Sequence, residues 1–219
     1  MQQGKNKFSD KQSKDDQIRQ SRRLLSVLQE RRSCRSFQKE SIPEEVITNC
    51  IAAAASAPSG ANLQPWTFVL VVDPDIKREI RRRAEEVEKE FYQSKITTEW
   101  RNKLEPLGTN FSKPFLEEAP YLICIFLQKY GLDKEGNRVT HYYPRESVGI
   151  ATGLLISSLQ QLGISTLTYT PSPMNFLNDI LDRPENERAY MILPVGYPAE
   201  GYQPPDISRK TEDEYLIKK

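Results

Sequence analysis

The chain has 219 residues, with 31 basic and 30 acidic side chains, so its formal net charge is +1. This length suits one substantial domain, and the balanced charge excludes the global attraction to nucleic acid or anionic membrane that strongly basic proteins show. Three cysteines without C-x-x-C spacing and one histidine argue against a metal site or a histidine-based triad. Gly-rich phosphate-binding fingerprints are also absent, so an enzyme of this sequence would take its chemistry from a bound cofactor.

The N-terminus is polar. Residues 1–15 contain almost no apolar side chains, a composition typical of a disordered tail, which leaves residues 16–219 as a single domain. The tail lacks the apolar stretch of a secretory signal. The longest apolar run, Tyr121 to Leu127, is far shorter than the roughly 18 to 20 residues of a membrane-spanning helix. The sequence therefore predicts a cytoplasmic protein.

The first third of the domain predicts two amphipathic helices and a strand. Apolar residues recur at helical spacing from Ile18 to Leu28, and this segment ends in a basic turn. Ser41 and Glu44 form a capping-box pattern that predicts a second helix over residues 43–57. The β-branched and aromatic run from Trp66 to Val72 then predicts a buried strand.

The middle of the chain predicts a charged helix followed by an irregular excursion. The helix covers about residues 75–95, and residues 97–119 hold two prolines and a glycine. Long irregular connections in compact domains are usually functional or disordered. We therefore interpret residues 88–115 as a lid.

The second half predicts a long central helix among further strands. The helix covers residues 147–162 and is the most apolar of the chain. Strands are predicted over residues 121–128, 165–169 and 190–195, with a short helix over 174–181 and an extended C-terminal segment from Tyr197.

The end of the first helix carries a basic cluster. Three arginines and a serine lie within five residues: Arg31, Arg32, Ser33 and Arg35. Guanidinium groups can hold a phosphate through charge-assisted, bidentate hydrogen bonds. The alternative is a solvated helix end, where arginine also favours the negative pole of the helix dipole.

The loop before the first strand is a second candidate site. Ser59 and Asn62 offer polar side chains, and Gly60 and Ala61 expose backbone N–H groups at a turn that another group can approach closely. Such a loop suits a polar ring system. A plain helix-to-strand turn is the alternative.

A charged trio is a third candidate. Glu88 and Tyr92 lie on one helix face at i,i+4 spacing, and Lys113 follows in the irregular stretch. Together they could grip an amino-acid zwitterion, with Glu88 on the ammonium and Lys113 on the carboxylate. Because this helix is rich in Glu, Arg and Lys, a solvated charged face is the alternative.

Polar residues also lie at the end of a predicted strand and beside two tyrosines. Thr168, Tyr169 and Thr170 lie at the end of a predicted strand, where hydroxyls could contact a ligand or only cap a turn. His141 precedes two tyrosines, and we interpret it as a packed residue and not a catalytic one.

Taken in order, these motifs resemble the FMN-dependent nitroreductase superfamily, and specifically its iodotyrosine deiodinase branch. The resemblance runs from about Arg31 to Arg209. It rests on R-R-S-x-R, P-S-G-A before P-W-T-F, H-Y-Y with Glu146 and Ser147, T-x-T-P, and L-P-V-G-Y-P. The trio of Glu88, Tyr92 and Lys113 is the part specific to the branch.

The resemblance implies an α+β, nitroreductase-like fold with a central mixed β-sheet flanked by helices, forming an intertwined homodimer with FMN at the subunit interface. The arginines and Ser33 would hold the FMN phosphate and ribityl chain, and Ser59 would contact the flavin. Thr170 would be the catalytic residue, because its hydroxyl would lie at flavin N5 and favour one-electron steps. The implied cofactor-binding residues are Arg31, Arg32, Ser33, Cys34, Arg35, Ser59, Thr168, Tyr169, Thr170 and Arg209.

The implied substrate is a halotyrosine. Glu88, Tyr92 and Lys113 would close over its zwitterion, and the Ala61 N–H would donate to its phenolate oxygen. Reduced FMN would then convert 3-iodotyrosine, and also bromo- and chlorotyrosine, to tyrosine and halide, with electrons from an unidentified donor. Animal members of the branch carry an N-terminal membrane anchor, so the polar N-terminus resembles a soluble, bacterial-type homologue without membrane or nucleic-acid partners.

Two other functions stay open. An NAD(P)H-dependent nitroreductase or flavin reductase would share every FMN element without needing the charged trio, and residues 62–64 resemble the loop of the wider superfamily. A non-catalytic flavin- or ligand-binding protein is the other alternative.

Overall fold

A computed structural model of the chain describes residues 13–219. The predicted disordered tail falls mainly on residues outside this range. Helix α1 (Lys14–Glu30) begins before the domain boundary predicted at residue 16, and Ser13 caps it by accepting a hydrogen bond from the Asp16 N–H.

The remaining elements follow in chain order. The helices are α2 (Glu44–Ala55), α3 (Pro74–Glu90), α4 (Thr98–Leu104), α5 (Phe115–Glu118), α6 (Pro144–Gln161), α7 (Phe176–Ile180) and α8 (Glu212–Tyr215). The strands are β1 (Trp66–Val71), β2 (Tyr121–Gln128), β3 (Tyr130–Leu132), β4 (Arg138–Thr140), β5 (Ser165–Thr166) and β6 (Glu187–Gly196).

A four-stranded sheet in the order β1-β2-β6-β5 forms the centre of the fold. Strand β2 lies between two neighbours, and its residues alternate between two separate cores. Leu122, Cys124 and Phe126 pack on the side of α3, α5 and α7, whereas Ile123 and Ile125 pack on the side of α2 and α6. Because both faces are covered, β2 is a continuous apolar run, as the sequence predicted.

The α+β class is confirmed, but the sheet contains little parallel pairing. Within residues 13–219, all four strands of the sheet pair antiparallel. The parallel contact is an isolated bridge between Ser33 and Thr166. The mixed character therefore comes from the basic segment that follows α1.

The predicted capping box at Ser41 is wrong. Helix α2 starts at Glu44, Pro43 is its N-cap residue, and no side chain caps it. Ile42 is buried, and its carbonyl oxygen accepts a hydrogen bond from the Tyr121 hydroxyl at 2.7 Å. This anchor keeps the chain extended through Pro43, so the helix begins too late for Ser41 to reach its first N–H groups.

The strand predicted over residues 165–169 is shorter in the structure, because Pro194 interrupts its ladder. Leu167 donates to the Pro194 carbonyl at 3.4 Å, but proline has no N–H with which to return the bond. Pairing resumes at Tyr169, which exchanges two hydrogen bonds with Ile192 at 2.9 Å.

The β3–β4 hairpin and the short helix α8 were not predicted from the sequence. Asp133 closes the hairpin, because its carboxylate accepts from the N–H groups of Glu135 and Asn137, and Gly136 takes a positive φ of 84°. Thr211 and Glu214 form a capping box for α8 in the segment predicted to be extended. Both signals are present in the sequence.

None of the helices in the described part of the chain is both long enough and apolar enough to cross a membrane. Residues 13–219 contain no group of three or more His, Cys, Asp or Glu side chains placed to hold a metal ion.

A pair of isoleucines on α3 tests the core packing. Ile80 is fully buried, and Ile76, one turn earlier, is exposed. Replacing Ile80 by alanine is expected to lower the free energy of unfolding by about 3 kcal/mol, because it leaves a cavity in the core. Ile76→Ala is expected to cost less than about 1 kcal/mol. Urea denaturation of both variants measures the difference, and equal losses would contradict the packing described above.

The three cysteines give a second test of the core. Cys34, Cys50 and Cys124 are free and buried, and burial raises the pKa of each thiol, that of Cys124 to about 12. At pH 8 the reactive thiolate is therefore scarce as well as inaccessible. We expect no thiol to react with Ellman's reagent in the native protein and three to react in guanidinium. One equivalent reacting before denaturation would contradict this burial.

Candidate active site

The first cavity lies between the end of α3, the excursion that follows it and the segment after β5, and has a volume of about 250 Å³. The stretch predicted to be irregular over residues 97–119 is in part helical, because it contains α4 and α5. The lining of the cavity combines an ionic group with an apolar wall. The residues around it are Arg35, Val87, Glu88, Phe91, Tyr92, Trp100, Leu104, Leu107, Thr109, Lys113, Phe115 and 167–172.

The charged trio meets inside this cavity. Lys113 Nζ lies 3.3 Å from Glu88 Oε2, and the two side chains are only 4% and 14% exposed. The Tyr92 ring centroid is 5.7 Å from the same ammonium, and the Tyr92 hydroxyl donates to the Thr109 carbonyl at 3.4 Å. The alternative of a solvated charged face therefore does not describe these residues.

Helical spacing explains the burial of Glu88. Ile80, Ala84 and Glu88 follow one another at i,i+4 spacing on α3, and the first two are fully buried. Glu88 thus continues the row of α3 that faces the core. The helix then widens into a π-type turn at Phe91–Lys95, a feature frequent at functional sites.

Neighbouring hydrogen-bonding groups fix the pair of Glu88 and Lys113. Burial lowers the pKa of Lys113, although the Glu88 carboxylate opposes this effect. The Lys113 ammonium also donates to Thr109 Oγ1 at 3.3 Å and to the Asn110 carbonyl. Burial and the neighbouring Glu88 raise the pKa of Tyr169, so its hydroxyl stays protonated and donates to Glu88 Oε1 at 3.3 Å. A zwitterion could satisfy both charges at once.

The segment after β5 presents hydroxyl groups to this cavity. Thr168 and Thr170 are exposed and line it, whereas Tyr169 between them is buried and packs edge-on against Phe115. This alternation places both threonine side chains on the open side of the segment.

The sequence analysis missed the apolar wall. The Phe91 ring makes edge-to-face contacts with Tyr92 and Trp100, at centroid distances of 5.5 and 5.3 Å. Leu104 and Leu107 complete the wall from the excursion. The recurrence of aromatic and aliphatic side chains across residues 91–107 is the sequence pattern from which this wall could have been predicted. The wall gives the cavity a surface suited to an aromatic ring.

A second cavity, of about 300 Å³, adjoins the first and shares Arg35 and Leu107 with it. It brings the basic cluster after α1 together with the C-terminal segment. Its remaining lining residues are Arg31, Arg32, Ser33, Pro204, Pro205, Ile207, Ser208 and Arg209.

The second cavity is strongly cationic. Arg32 and Arg209 both donate to the carbonyls of Gln29 and Arg31 at the end of α1. Within residues 13–219, no ion pair involves any of the four arginines that line the cavity. Burial, with repulsion from Arg209 and Arg32, lowers the pKa of Arg31. This uncompensated charge fits a phosphate group.

Cys34 lies in the same segment, but its side chain faces the core. The thiol is buried and donates to the Ser36 carbonyl at 3.0 Å. Its N–H donates to the Thr166 carbonyl at 3.0 Å. Only its backbone carbonyl is left to offer to a ligand.

The loop containing Ser59 and Ala61 lines neither cavity. Ser59 Oγ accepts from the Gln64 N–H at 2.9 Å, and Ala61, Asn62 and Gln64 take φ values of 49°, 55° and 49°. Left-handed non-glycine residues are uncommon and cluster at ligand sites. A Cβ at Gly60 would lie 2.4 Å from the Tyr142 carbonyl oxygen, so this position requires glycine. A single chain therefore does not bring this loop to the other candidate residues.

His141 is a packed residue, as predicted. It is buried, its Nδ1 lies 3.1 Å from the Gln128 carbonyl oxygen, and a Cβ at Gly131 would lie 2.9 Å from its Nε2. It lines neither cavity.

Sequence comparisons agree with these motifs. A profile of the Nitroreductase family matches residues 28–197. The iodotyrosine deiodinase of Haliscomenobacter hydrossis is 47% identical over 203 residues, which are 93% of this chain and 91% of that protein. Iodotyrosine deiodinase 1 of Homo sapiens is 41% identical over 203 residues, which are 92% of this chain and 70% of that protein.

Structural comparisons give the same result. The crystal structure of oxidized iodotyrosine deiodinase bound to FMN and 3-iodo-L-tyrosine superposes with a TM-score of 0.77 and 34% identity, covering 89% of this chain and 99% of that one. An FMN-bound nitroreductase from Bacteroides fragilis, at 20% identity and a TM-score of 0.65 over 89% of this chain and 98% of that one, shares the fold. The protein is an oxidoreductase that belongs to the nitroreductase family, with iodotyrosine deiodinases among its relatives.

Proposed function

We propose that this protein is an FMN-dependent enzyme that reductively removes iodide from 3-iodotyrosine, and accepts bromo- and chlorotyrosine as well. The buried pair of Glu88 and Lys113 carries the proposal, because it lies in a cavity that adjoins a cationic cavity suited to a phosphate. The high identity to iodotyrosine deiodinases supports the same function.

FMN fits the joined cavities. Its phosphate would take the uncompensated charge of Arg31 and Arg35, with Arg32, Ser33 and Arg209 beside them. Its flavin ring would lie along Thr168, Tyr169 and Thr170, and the Thr170 hydroxyl would hold a hydrogen bond at N5. FMN bound there and reduced by an external donor would supply the two electrons of the reaction.

The residues of the first cavity would bind the amino-acid part of the substrate. Glu88 would accept hydrogen bonds from the ammonium group, and Lys113 and Tyr92 would donate to the carboxylate. In exchanging one buried ion pair for two, the site keeps every charge paired. The apolar wall that includes Trp100 and Leu104 would cover the halogenated ring and exclude water.

The phenolate end of the substrate would meet a second copy of the chain. Ala61 offers its N–H from a strained loop that lies apart from both cavities of its own chain. We therefore include in the proposal an intertwined homodimer in which the 58–64 loop completes the site of the partner, with Ser59 against the flavin.

The reaction balances as hydrogenolysis of the carbon–halogen bond. Two electrons and one proton enter, the C–I bond breaks, a C–H bond forms, and tyrosine and iodide leave. A side-chain nucleophile is not required. The protein contributes by binding the zwitterion, orienting the ring and excluding water.

Anaerobic turnover tests the proposal. Protein loaded with FMN is mixed with dithionite and 3-iodotyrosine, and tyrosine and iodide are quantified against free FMN at equal concentration. Catalytic release of both products is expected, and 3-bromo- and 3-chlorotyrosine are run in parallel. If release does not exceed the FMN control while nitroaromatics turn over with NAD(P)H, the protein is a nitroreductase instead.

A further inference from the structure

Glu85 lies beside the first cavity without lining it. It precedes Glu88 by one turn of α3, and its Oε1 accepts a hydrogen bond from the backbone N–H of Lys113 at 2.7 Å. The same oxygen accepts from Arg81 Nε at 2.8 Å. The Arg81 and Glu85 side chains are only 29% and 19% exposed, so both bonds are partly shielded from water.

Arg81, which donates to Glu85, is itself held in place by a second carboxylate. Arg81 Nη1 lies 3.2 Å from Glu117 Oε1 on α5. One turn earlier on α3, Lys77 donates to the carbonyls of Glu117 and Ala119, at 3.2 and 2.9 Å. Two cations of α3 therefore contact α5 or the residue after it, and Lys113 lies two residues before that helix.

These contacts close the base of the excursion. The chain leaves α3 after Glu90 and returns to the same helix at Lys113, where Glu85 holds its backbone. Burial acts to raise the pKa of the Glu85 carboxyl, but the bonds from Lys113 and Arg81 outweigh it and lower that pKa. Glu85 is thus a charged hydrogen-bond acceptor for the Lys113 N–H, at the point where the excursion of residues 91–112 ends.

We propose that Glu85 is a positioning residue that fixes Lys113 for the substrate carboxylate, and so sets the preference for a halogenated amino acid over a simple halophenol. The inference rests on the proposed function. It follows from the geometry because Glu85 holds the Lys113 backbone while Glu88 contacts the Lys113 ammonium. A displaced Lys113 backbone would move its ammonium group away from Glu88 and from the position proposed for the substrate carboxylate.

The test compares two ligands. FMN-loaded wild type, Glu85→Ala and Glu85→Gln are titrated with 3-iodotyrosine and with 2-iodophenol, which lacks the zwitterion, and binding is followed by quenching of flavin fluorescence. Glu86→Gln is the matched control, because Glu86 is exposed on the same helix and pairs only with Arg82 and Arg83 among the described residues.

For Glu85→Ala, the dissociation constant of 3-iodotyrosine is expected to rise by at least about fivefold, since a charge-assisted hydrogen bond is lost. That of 2-iodophenol is expected to stay within about twofold. Glu85→Gln is expected to recover most of the preference, because its amide oxygen can accept from the Lys113 N–H. Glu86→Gln is expected to match the wild type.

An unchanged preference in Glu85→Ala, or equal weakening of both ligands, would overturn the inference while leaving the proposed function intact. Equal binding of both ligands by the wild type would instead overturn the zwitterion site itself. If Glu85→Ala does not fold, Arg81→Met carries the test. It is expected to shift the preference in the same direction, and no shift would overturn the inference.

Discussion

Replacing Lys113 by methionine is expected to weaken 3-iodotyrosine binding by about 30- to 4,000-fold, since truncating one partner of a buried, hydrogen-bonded charge pair costs about 2 to 5 kcal/mol. The methionine keeps most of the volume of the lysine stem, so the cavity keeps its shape. It leaves Glu88 buried without a cation and removes the donor proposed for the substrate carboxylate. The dissociation constant measured by flavin fluorescence quenching reports the loss.

A lysine elsewhere in the excursion provides the control. Lys103 on α4 is 71% exposed and pairs with Glu99 one turn earlier, an arrangement that contributes little to stability or binding. Lys103→Met is therefore expected to bind 3-iodotyrosine as the wild type does. FMN affinity is expected to change little in either variant, because neither lysine lines the cationic cavity proposed for the FMN phosphate. Comparable weakening in both lysine variants would argue against a specific role for Lys113.

The sequence predicted most elements of the fold, since each has a local signal. The apolar run of β2 specifies a strand covered on both faces, and the periodic stripes of α1 and α6 specify helices. Glu88 was harder to place, because its helix is highly charged. Its i,i+4 relation to Ile80 and Ala84, both in the core, is the signal that separates it from the solvated face.

The errors arose from tertiary contacts that local patterns do not contain. The start of α2 depends on the bond from the Tyr121 hydroxyl to Ile42, 79 positions apart. The break after β5 depends on Pro194 in the opposite strand. These long-range effects override local propensity.

The site residues divide in the same way. Arg209 is distant in sequence from Arg31 and Arg35, yet the structure places all three around one cavity. The resemblance, and not spacing, was what linked Arg209 to the others. Ser59 and Ala61 remain apart from both cavities in one chain, so their predicted contacts with flavin and substrate depend on a second copy.

Replacing Arg31 by alanine is expected to raise the dissociation constant of FMN by about tenfold to a hundredfold, the effect of losing one charge-assisted contact to phosphate. Riboflavin lacks the phosphate, so its affinity is expected to change by less than about twofold. Fluorescence titration with both flavins separates a phosphate contact from general damage to the cavity. Arg19→Ala, at an exposed position on α1, is the control.

The same variant is expected to retain its thermal stability without flavin. Burial, and then repulsion from Arg209 and Arg32, lowers the pKa of Arg31, and no carboxylate of residues 13–219 forms an ion pair with it. Removing its charge therefore relieves strain in the flavin-free protein while it weakens FMN binding. A fall in the apo-protein Tm together with equal loss of FMN and riboflavin would show instead that Arg31 supports the fold. Retained stability together with weakened binding of the phosphate-bearing flavin is what a site built for an anion requires.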